Sequence, residues 1–367
     1  MLIPIESPGD PRLADYANVR DRQLARRGAA AGGEGTPAGG GDTSAAPPRA
    51  NSGLGVYLAE GELVVRTLIA AGRGVRSVLI TPTRLEAMRD AIAGLDAEVP
   101  VYVAGPGVMD GVVGFHIHRG VLAAGERWPE PSVGELLADA TRVLVLEGLS
   151  NHDNVGGLFR VAAALGGVAG EEVAEWRSGK VAESKTNING GEAGSSCSRN
   201  PVLRTRTDSL CNKPDASARA SAKRATNPEQ ATAPSLTLQA RHAQHSAAVV
   251  MSPGTCDPLY RKAIRVSMGA ALRVPFATLS PWPAGLVELR QAGFRLVALT
   301  PAADAMPIER LDAGVARSAV MLGAEGPGLS EEAMAMADVR VRIPMDSSVD
   351  SLNVVTAGAI ALHRLRG

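Results

Sequence analysis

Three short stretches in the second half of this 367-residue chain place small or polar residues, which expose main chain, beside side chains able to hold or polarise a ligand. The first, "NHDNVGGLFR", carries Asn154, a glycine pair and Arg160. The second, "LGAEGPGLSEE", carries Gly323, Glu325 and Gly328, and the third, "IPMDSSVDSLNVV", carries Met345, Ser351 and Asn353. A guanidinium can stabilise a developing anion or anchor a phosphate. Amide and hydroxyl side chains can orient it. Glycines expose main-chain N–H and C=O groups to a ligand. A ligand pocket lined by main chain is therefore expected.

Such a site needs strands that end together and helices that begin there. The hydrophobic periodicity predicts strands at "VRSVLIT", "VPVYVA", "FHIHRGVLAAG", "TRVLVLEGL", "AAVVMS", "FRLVALTP", "ARSAVMLG" and "VRVRIPM". It predicts helices at "RLADYANVRDRQLARR", "EGELVVRTLIAAG" (stopped by Gly72), "PTRLEAMRDAIAGL", "VGGLFRVAAALG", "PLYRKAIRVSMGAALRVP", "AGLVELRQAG", "SEEAMAMA" and "SLNVVTAGAIALHRLRG". "GPGVMDGVVG" reads as a helix start or loop, and "WPEPSVGELLADA" as a linker with a short helix. This alternation predicts an α/β parallel sheet in the second half. Ligands of such sheets bind beyond the carboxyl ends of the strands, where all three stretches fall.

Composition sets the frame. Apolar residues make up 45% and the formal net charge is zero, so a core is available and any basic surface is local. Three scattered cysteines, Cys197, Cys211 and Cys256, do not form a disulfide framework and fit a reducing compartment. The N-terminal stretch lacks the basic start and apolar run of a signal peptide, and no apolar run approaches a membrane span. A cytoplasmic protein with no membrane partner is expected. Two segments, 28–53 (Gly/Ala-rich) and 170–246 (polar and mildly basic), are too poor in large apolar side chains to offset their ordering entropy, and are expected to be flexible insertions.

In their order and spacing the three stretches resemble the motifs of the SpoU/TrmH family of the SPOUT superfamily, RNA 2′-O-ribose methyltransferases. Asn154, Gly156 and Arg160 match the first motif; Gly323, Glu325, Gly328 and Leu329 the second; Ile343, Pro344, Met345, Ser351, Leu352, Asn353 and Val354 the third. "DPLYRKAIRVSMGA", with Arg265, Ser267 and Gly269, resembles the family's middle helix. The resemblance covers Thr141 to Gly367 apart from the insertion. More weakly, "YLAEGELVVRTLI" and "HRGVLA" resemble the family's substrate-binding domain, related to ribosomal proteins that bind kinked RNA.

The resemblance implies a substrate-binding α/β domain over 1–118, a linker over 119–140, and a methyltransferase domain over 141–367 with a deep trefoil knot. It implies S-adenosylmethionine as cofactor, held by Leu299, Thr300, Gly323, Glu325, Gly328, Ile343, Met345, Ser351, Leu352 and Val354. It assigns the reaction to Arg160, Asn154, Glu325, Ser351 and Asn353, with no metal. Asn154 and the glycines would shape a turn beside the pocket, and Arg160 would face the substrate from the first turns of the helix. A guanidinium stays charged at neutral pH, so Arg160 is read as stabilising the developing alkoxide and anchoring a phosphate, with Ser351 and Asn353 fixing it. The implied partners are structured RNA, ribosomal or transfer, and a second copy in a homodimer; DNA is not expected. The alternative is an RNA-binding or assembly factor that kept the fold and lost catalysis.

Other residues invite simpler readings. Asn154 could cap the following helix, and Arg160 could pair with Glu325. His116 and His118 share a strand face without further ligands, and Cys197, Cys211, His242 and His245 miss zinc-finger spacing. "GPGVMDG" lacks a phosphate-loop lysine, and Cys256 reads as a loop or helix-start residue. Arg20, Arg22, Arg26 and Arg27, Arg261, Lys262 and Arg265, and the segment "ARASAKRA" are either solvated faces or phosphate contacts.

Overall fold

The computed structural model describes residues 1–17, 54–114, 119–166, 246–346, 348 and 350–366. Both expected insertions lie outside the described residues except at Ser246. That residue is buried, accepts a hydrogen bond from Thr141 N at 3.0 Å and donates its hydroxyl to Asp139 O, so it belongs to the core.

The first sheet uses five strands: β1 (Leu2–Ile5), β2 (Val56–Glu60), β3 (Val75–Ile80), β4 (Val101–Ala104) and β5 (Val121–Glu126). Their order is β1-β4-β3-β5-β2, parallel except where β5 runs antiparallel to β3 and β2. Periodicity does not predict β1, because "LIPI" is short and holds a proline. It lies at the sheet edge, where a residue without an N–H is tolerated. Within the linker expected over 119–140, Val121–Ala124 are fully buried between β3 and β2, in the stretch "FHIHRGVLAAG" that periodicity predicts as a strand. Of the helix expected at the N-terminus, the described part is a single 3-10 turn at Pro11–Leu13, followed by the buried Tyr16, whose hydroxyl lies 2.7 Å from Ser77 Oγ.

Helices α1 (Glu62–Ala70), α2 (Pro82–Leu85), α3 (Arg89–Ala93) and α4 (Pro106–Val113) join these strands. α1 buries Val64, Val65 and Leu68 on one stripe and stops before Gly72, whose φ of 61° suits the left-handed end of a helix. α5 (Val133–Ala138) begins in a capping box formed by Ser132 and Glu135.

The second sheet contains β6 (Arg142–Leu146), β7 (Ala247–Met251), β8 (Phe276–Thr278), β9 (Arg295–Leu299), β10 (Met306–Pro307), β11 (Ser318–Leu322) and β12 (Val339–Arg342). Every pairing in it is parallel, in the order β10-β12-β9-β11-β6-β7-β8. Both faces are covered, which is why β6, β7 and β11 read as continuous apolar runs and are buried at every position. One face packs on α5, α8 (Leu286–Gln291) and α9 (Glu331–Ala335). The other packs on α6 (His152–Val161), α7 (Arg261–Val266) and α10 (Val354–Leu365), and shares one apolar cluster with α1 and β2 of the first sheet.

The long helix expected over 258–275 is only six residues, α7. Met268 (φ 54°) and Gly269 (φ 84°) turn the chain out of the helix, and a 3-10 turn and β8 follow. Among the described residues no helix is long and apolar enough to cross a membrane.

Candidate active site

α6 begins at His152 because Asn151, not Asn154, is its cap. Asn151 Oδ1 accepts the N–H of Asp153 at 2.9 Å. Asn154 thus falls inside the helix, 4% exposed, with its amide free for other partners. The same frame puts Arg160 in the last turn of α6, not the first, and leaves it exposed.

The glycine pair does something different from what its sequence suggests. Gly156 and Gly157 do not shape a ligand-facing turn; they are helix-packing positions. A Cβ on Gly156 would sit 2.6 Å from Ala263 O of α7, and one on Gly157 would sit 2.7 Å from Val355 Cγ2 of α10. α6 is therefore clamped between α7 and α10, and Asn154 is fixed with it.

The second stretch closes a loop at the end of β11. Ala324 and Gly328 exchange two backbone hydrogen bonds, 3.1 and 2.9 Å, at its neck. A side chain on Gly323 would collide with the Gly328 carbonyl group. In the third stretch, Asn353 caps α10 by accepting Val355 N–H at 2.9 Å.

Three stretches distant in sequence meet through one asparagine. Asn154 Nδ2 donates to Glu325 Oε1, and Asn154 Oδ1 accepts from Asn353 Nδ2 at 3.1 Å. Each buried amide end therefore has a partner, as a polar group out of water requires. The pairing of Arg160 with Glu325 that the sequence allowed is absent: Glu325 takes Asn154 instead, and Arg160 makes no hydrogen bond or ion pair to any described residue. Ser351 and Asn353 do not hold Arg160 either; Ser351 is exposed and Asn353 is committed to Asn154 and the helix cap.

Beside this network opens a cavity of about 480 Å³ at the carboxyl ends of β9, β11 and β12. Leu299, Thr300, Gly323, Glu325 and Gly328 line one part of it, and Ile343, Met345, Ser351, Leu352 and Val354 the rest. All ten residues named for cofactor binding thus share one wall. Asn353 joins them, whereas Asn154 stands behind the wall and Arg160 outside it. Sequence reasoning missed Glu147, at the end of β6. Its carboxylate accepts from Ser330 and from the Trp282 indole, and so supports the loop from the far side. Its signal was only a lone acidic residue after an apolar strand.

The neighbouring ionisable groups are mostly paired. Lys262 meets Asp153 at 2.7 Å, and Arg261 and Arg265 approach Glu60 at 3.9 and 3.8 Å. Cys256 is half-buried in the loop after β7; burial, helped by Asp257, pushes its thiol up to about 11, so it is no nucleophile. Among the described residues no cluster could hold a metal ion. His116, His118, Cys197, Cys211, His242, His245, the Arg20–Arg27 group and "ARASAKRA" lie outside the described residues.

Residues 239–363 match the model of the SpoU rRNA Methylase family. A Mycobacterium bovis protein named as an uncharacterized tRNA/rRNA methyltransferase is 34% identical over 358 residues, covering 97% of this chain and 88% of its own. The chain belongs to the SpoU family. Within this family, a Thermus thermophilus tRNA (guanosine(18)-2′-O)-methyltransferase is 42% identical over 74 residues, 20% of this chain and 38% of its own. The fold agrees with an AdoMet-bound rRNA methyltransferase from Sinorhizobium meliloti, with a TM-score of 0.60 at 14% identity, covering 100% of this chain and 97% of that one.

Proposed function

We propose that this SpoU-family chain transfers a methyl group from S-adenosylmethionine to a ribose 2′-hydroxyl of structured RNA, ribosomal or transfer. The observation that carries the reading is the cavity walled by the second and third motif stretches, with Glu325 and Asn353 joined behind it through Asn154 of the first. The cavity suits the cofactor in kind. Its volume lies in the usual range for small-molecule sites, its wall mixes Leu299, Ile343 and Leu352 with exposed main chain, and the absence of a side chain at Gly323 keeps the loop folded against it. When bound, the cofactor supplies a methyl group already activated by an adjoining positive sulfur.

The chain's own residues then have distinct tasks. Leu299, Ile343, Met345, Leu352 and Val354 provide apolar contact and exclude water. Thr300, Gly323, Gly328 and Ser351 offer polar main-chain or hydroxyl groups. Glu325 is held in one orientation by Asn154. Arg160, charged and exposed, stabilises the alkoxide that forms as the 2′-hydroxyl loses its proton, and anchors a neighbouring phosphate. Its place outside its own cavity supports a homodimer in which the site lies beside the subunit interface, checked by sedimentation. The first sheet and its helices serve as the RNA-binding domain. A trefoil-knotted path is part of the same reading, supported by the return of the chain after β12 to lay α10 against α6 and β11.

The test has two parts. Calorimetric titration with S-adenosylmethionine should saturate, and ribose-methylation maps of total RNA from wild-type and deletion cells should differ at a defined nucleotide. Cofactor binding without any lost methylation would favour a base target. No cofactor binding would favour an RNA-binding or assembly factor on the same fold.

A further inference from the structure

One surface beside the cavity takes no part in the reaction as described. Where α6 and α7 begin, the rings of His152 and Tyr260 stack, with centroids 3.9 Å apart and planes inclined by 32°. Both residues are half-buried, so the pair is seated in the fold and still reaches solvent. His152 is the first residue of α6, two positions before Asn154, and Tyr260 precedes the first residue of α7. The stack is thus tied by two residues of helix to the network behind the cavity wall.

The helix that follows Tyr260, α7, carries three cations. Lys262 is exposed and pairs with the equally exposed Asp153. Arg261 and Arg265, one helical turn apart, both approach Glu60 Oε2, at 3.9 and 3.8 Å. Those separations are ion pairs but too long for hydrogen bonds. Glu60 Oε2 is buried and accepts no hydrogen bond from the described residues, although the Glu60 side chain is only 9% exposed. The guanidinium of Arg265, 41% exposed, therefore keeps donors available to a second anion. The exposed Lys262–Asp153 pair contributes little to stability, so folding does not explain its place there.

Stacked aromatic rings with cations on the adjoining helix suit one ligand chemistry: an unpaired nucleotide, with its base against a ring and its phosphate on the cations. A duplex offers the phosphates without a free base face. We propose that the His152–Tyr260 stack, with Lys262 and Arg265, holds an unpaired nucleotide flanking the one whose ribose enters the cavity. This rests on the RNA reading above and adds a requirement to it: the target must lie in a loop, bulge or single-stranded end.

The test uses the full chain and fluorescence anisotropy with two probes, a fluorescein-labelled single-stranded RNA of mixed sequence and the same strand fully paired, over a salt series. Wild type should bind the single strand more tightly than the duplex. Tyr260→Leu should weaken single-strand binding about tenfold with the salt slope unchanged, because it removes a stacking face and no charge. Tyr260→Phe should bind like wild type. Lys262→Gln with Arg265→Gln should make the salt slope shallower by about one. Cofactor titration should be unaffected in each of these variants, which reports an intact fold. Should Tyr260→Leu lose the cofactor site, His152→Leu takes its place in the comparison.

Equal single-strand affinity for wild type and the intact ring-less variant overturns the platform and leaves the methyltransferase reading standing. An equal loss on single strand and duplex also overturns it, because the contact would then be to phosphate alone. Failure of wild type to bind either probe overturns the RNA reading, and the platform with it.

Discussion

Glu147 grips Ser330 twice: Oε2 accepts its backbone N–H at 2.9 Å, and Oε1 accepts its hydroxyl at 2.6 Å. Oε1 also accepts the Trp282 indole N–H at 2.7 Å. Ser330 caps α9 and ends the loop Gly323–Leu329 that walls the cavity. Glu147→Ala leaves those donors without their charged acceptor, a loss of about 2–3 kcal/mol. Cofactor affinity should fall about five- to tenfold if half of that loss reaches the loop. Calorimetry checks it, and an unchanged Kd would show that the loop holds itself.

Asn154→Ala should separate Glu325 from Asn353. Both partners then lose a hydrogen bond at a wall that is only partly open to water. The expected result is a stability loss of about 1–2 kcal/mol and a larger loss of turnover than of cofactor affinity. Urea unfolding and a methyl-transfer assay measure the two effects separately.

Arg160 makes no hydrogen bond or ion pair to a described residue, so Arg160→Ala should leave stability and cofactor affinity within error. Turnover with labelled cofactor should fall by about a hundredfold or more, as when a donor to a developing oxyanion is removed. Equal turnover by mutant and wild type would take Arg160 out of the reaction.

Arg142, 5% exposed, donates to Leu365 O at 3.2 and 2.7 Å, to Ala316 O at 2.7 Å and to Thr141 O at 3.0 Å. Burial pulls its pKa below the ordinary guanidinium value. Arg142→Leu strands several carbonyls and should cost about 2–4 kcal/mol. Denaturant midpoints would reveal it; an unchanged midpoint would mean water replaces the guanidinium.

Cys256 gives the pH dependence. Burial and Asp257 raise its thiol to about 11, above the unfolded value of about 8.5. The native fold keeps the proton, so its contribution to stability is intact below the unfolded value and is lost as pH rises toward 11. Alkylation followed by peptide mass mapping should leave Cys256 largely unmodified at pH 8 and modify it rapidly near pH 11. Fast labelling at pH 8 would contradict the burial.

The cavity was legible because most of its residues sit in two compact motifs, which follow the parallel strands β11 and β12; a pocket beyond the carboxyl ends follows from topology. The join behind it was not. Nothing at Asn154 announces that its amide faces Glu325, 171 residues away, and the cap role falls on Asn151 instead, a residue of the same type three positions earlier. The glycines at 156 and 157 have the composition of a ligand turn, but the helix runs through them. Only the proximity of α7 and α10 shows that they are spacing residues.

The strands that periodicity does not show are mostly short. β1, β8 and β10 have four, three and two residues, too few for a period to register. β2 is hidden because "VYLAE" is apolar on both faces and runs directly into α1. β5, by contrast, falls within the strand predicted at "FHIHRGVLAAG", although its start overlaps the linker expected over 119–140.

The position of β6 bears on how this protein is made. Arg142 in that strand registers with Ala247 on one side and with Ser318 on the other. The five strands of the first sheet, by contrast, all lie between Leu2 and Glu126. During synthesis the first sheet can close while the ribosome is still working, and domains generally fold in that order. β6 emerges soon after it and waits with both edges bare, first for β7 and then for β11. Pairing across such separations is slow. The newborn chain therefore passes through a stage with a finished first sheet and an open, apolar, aggregation-prone strand after it. Holdase chaperones should bind this protein between the emergence of β6 and that of β11, and slowing translation over that stretch should lower its soluble yield.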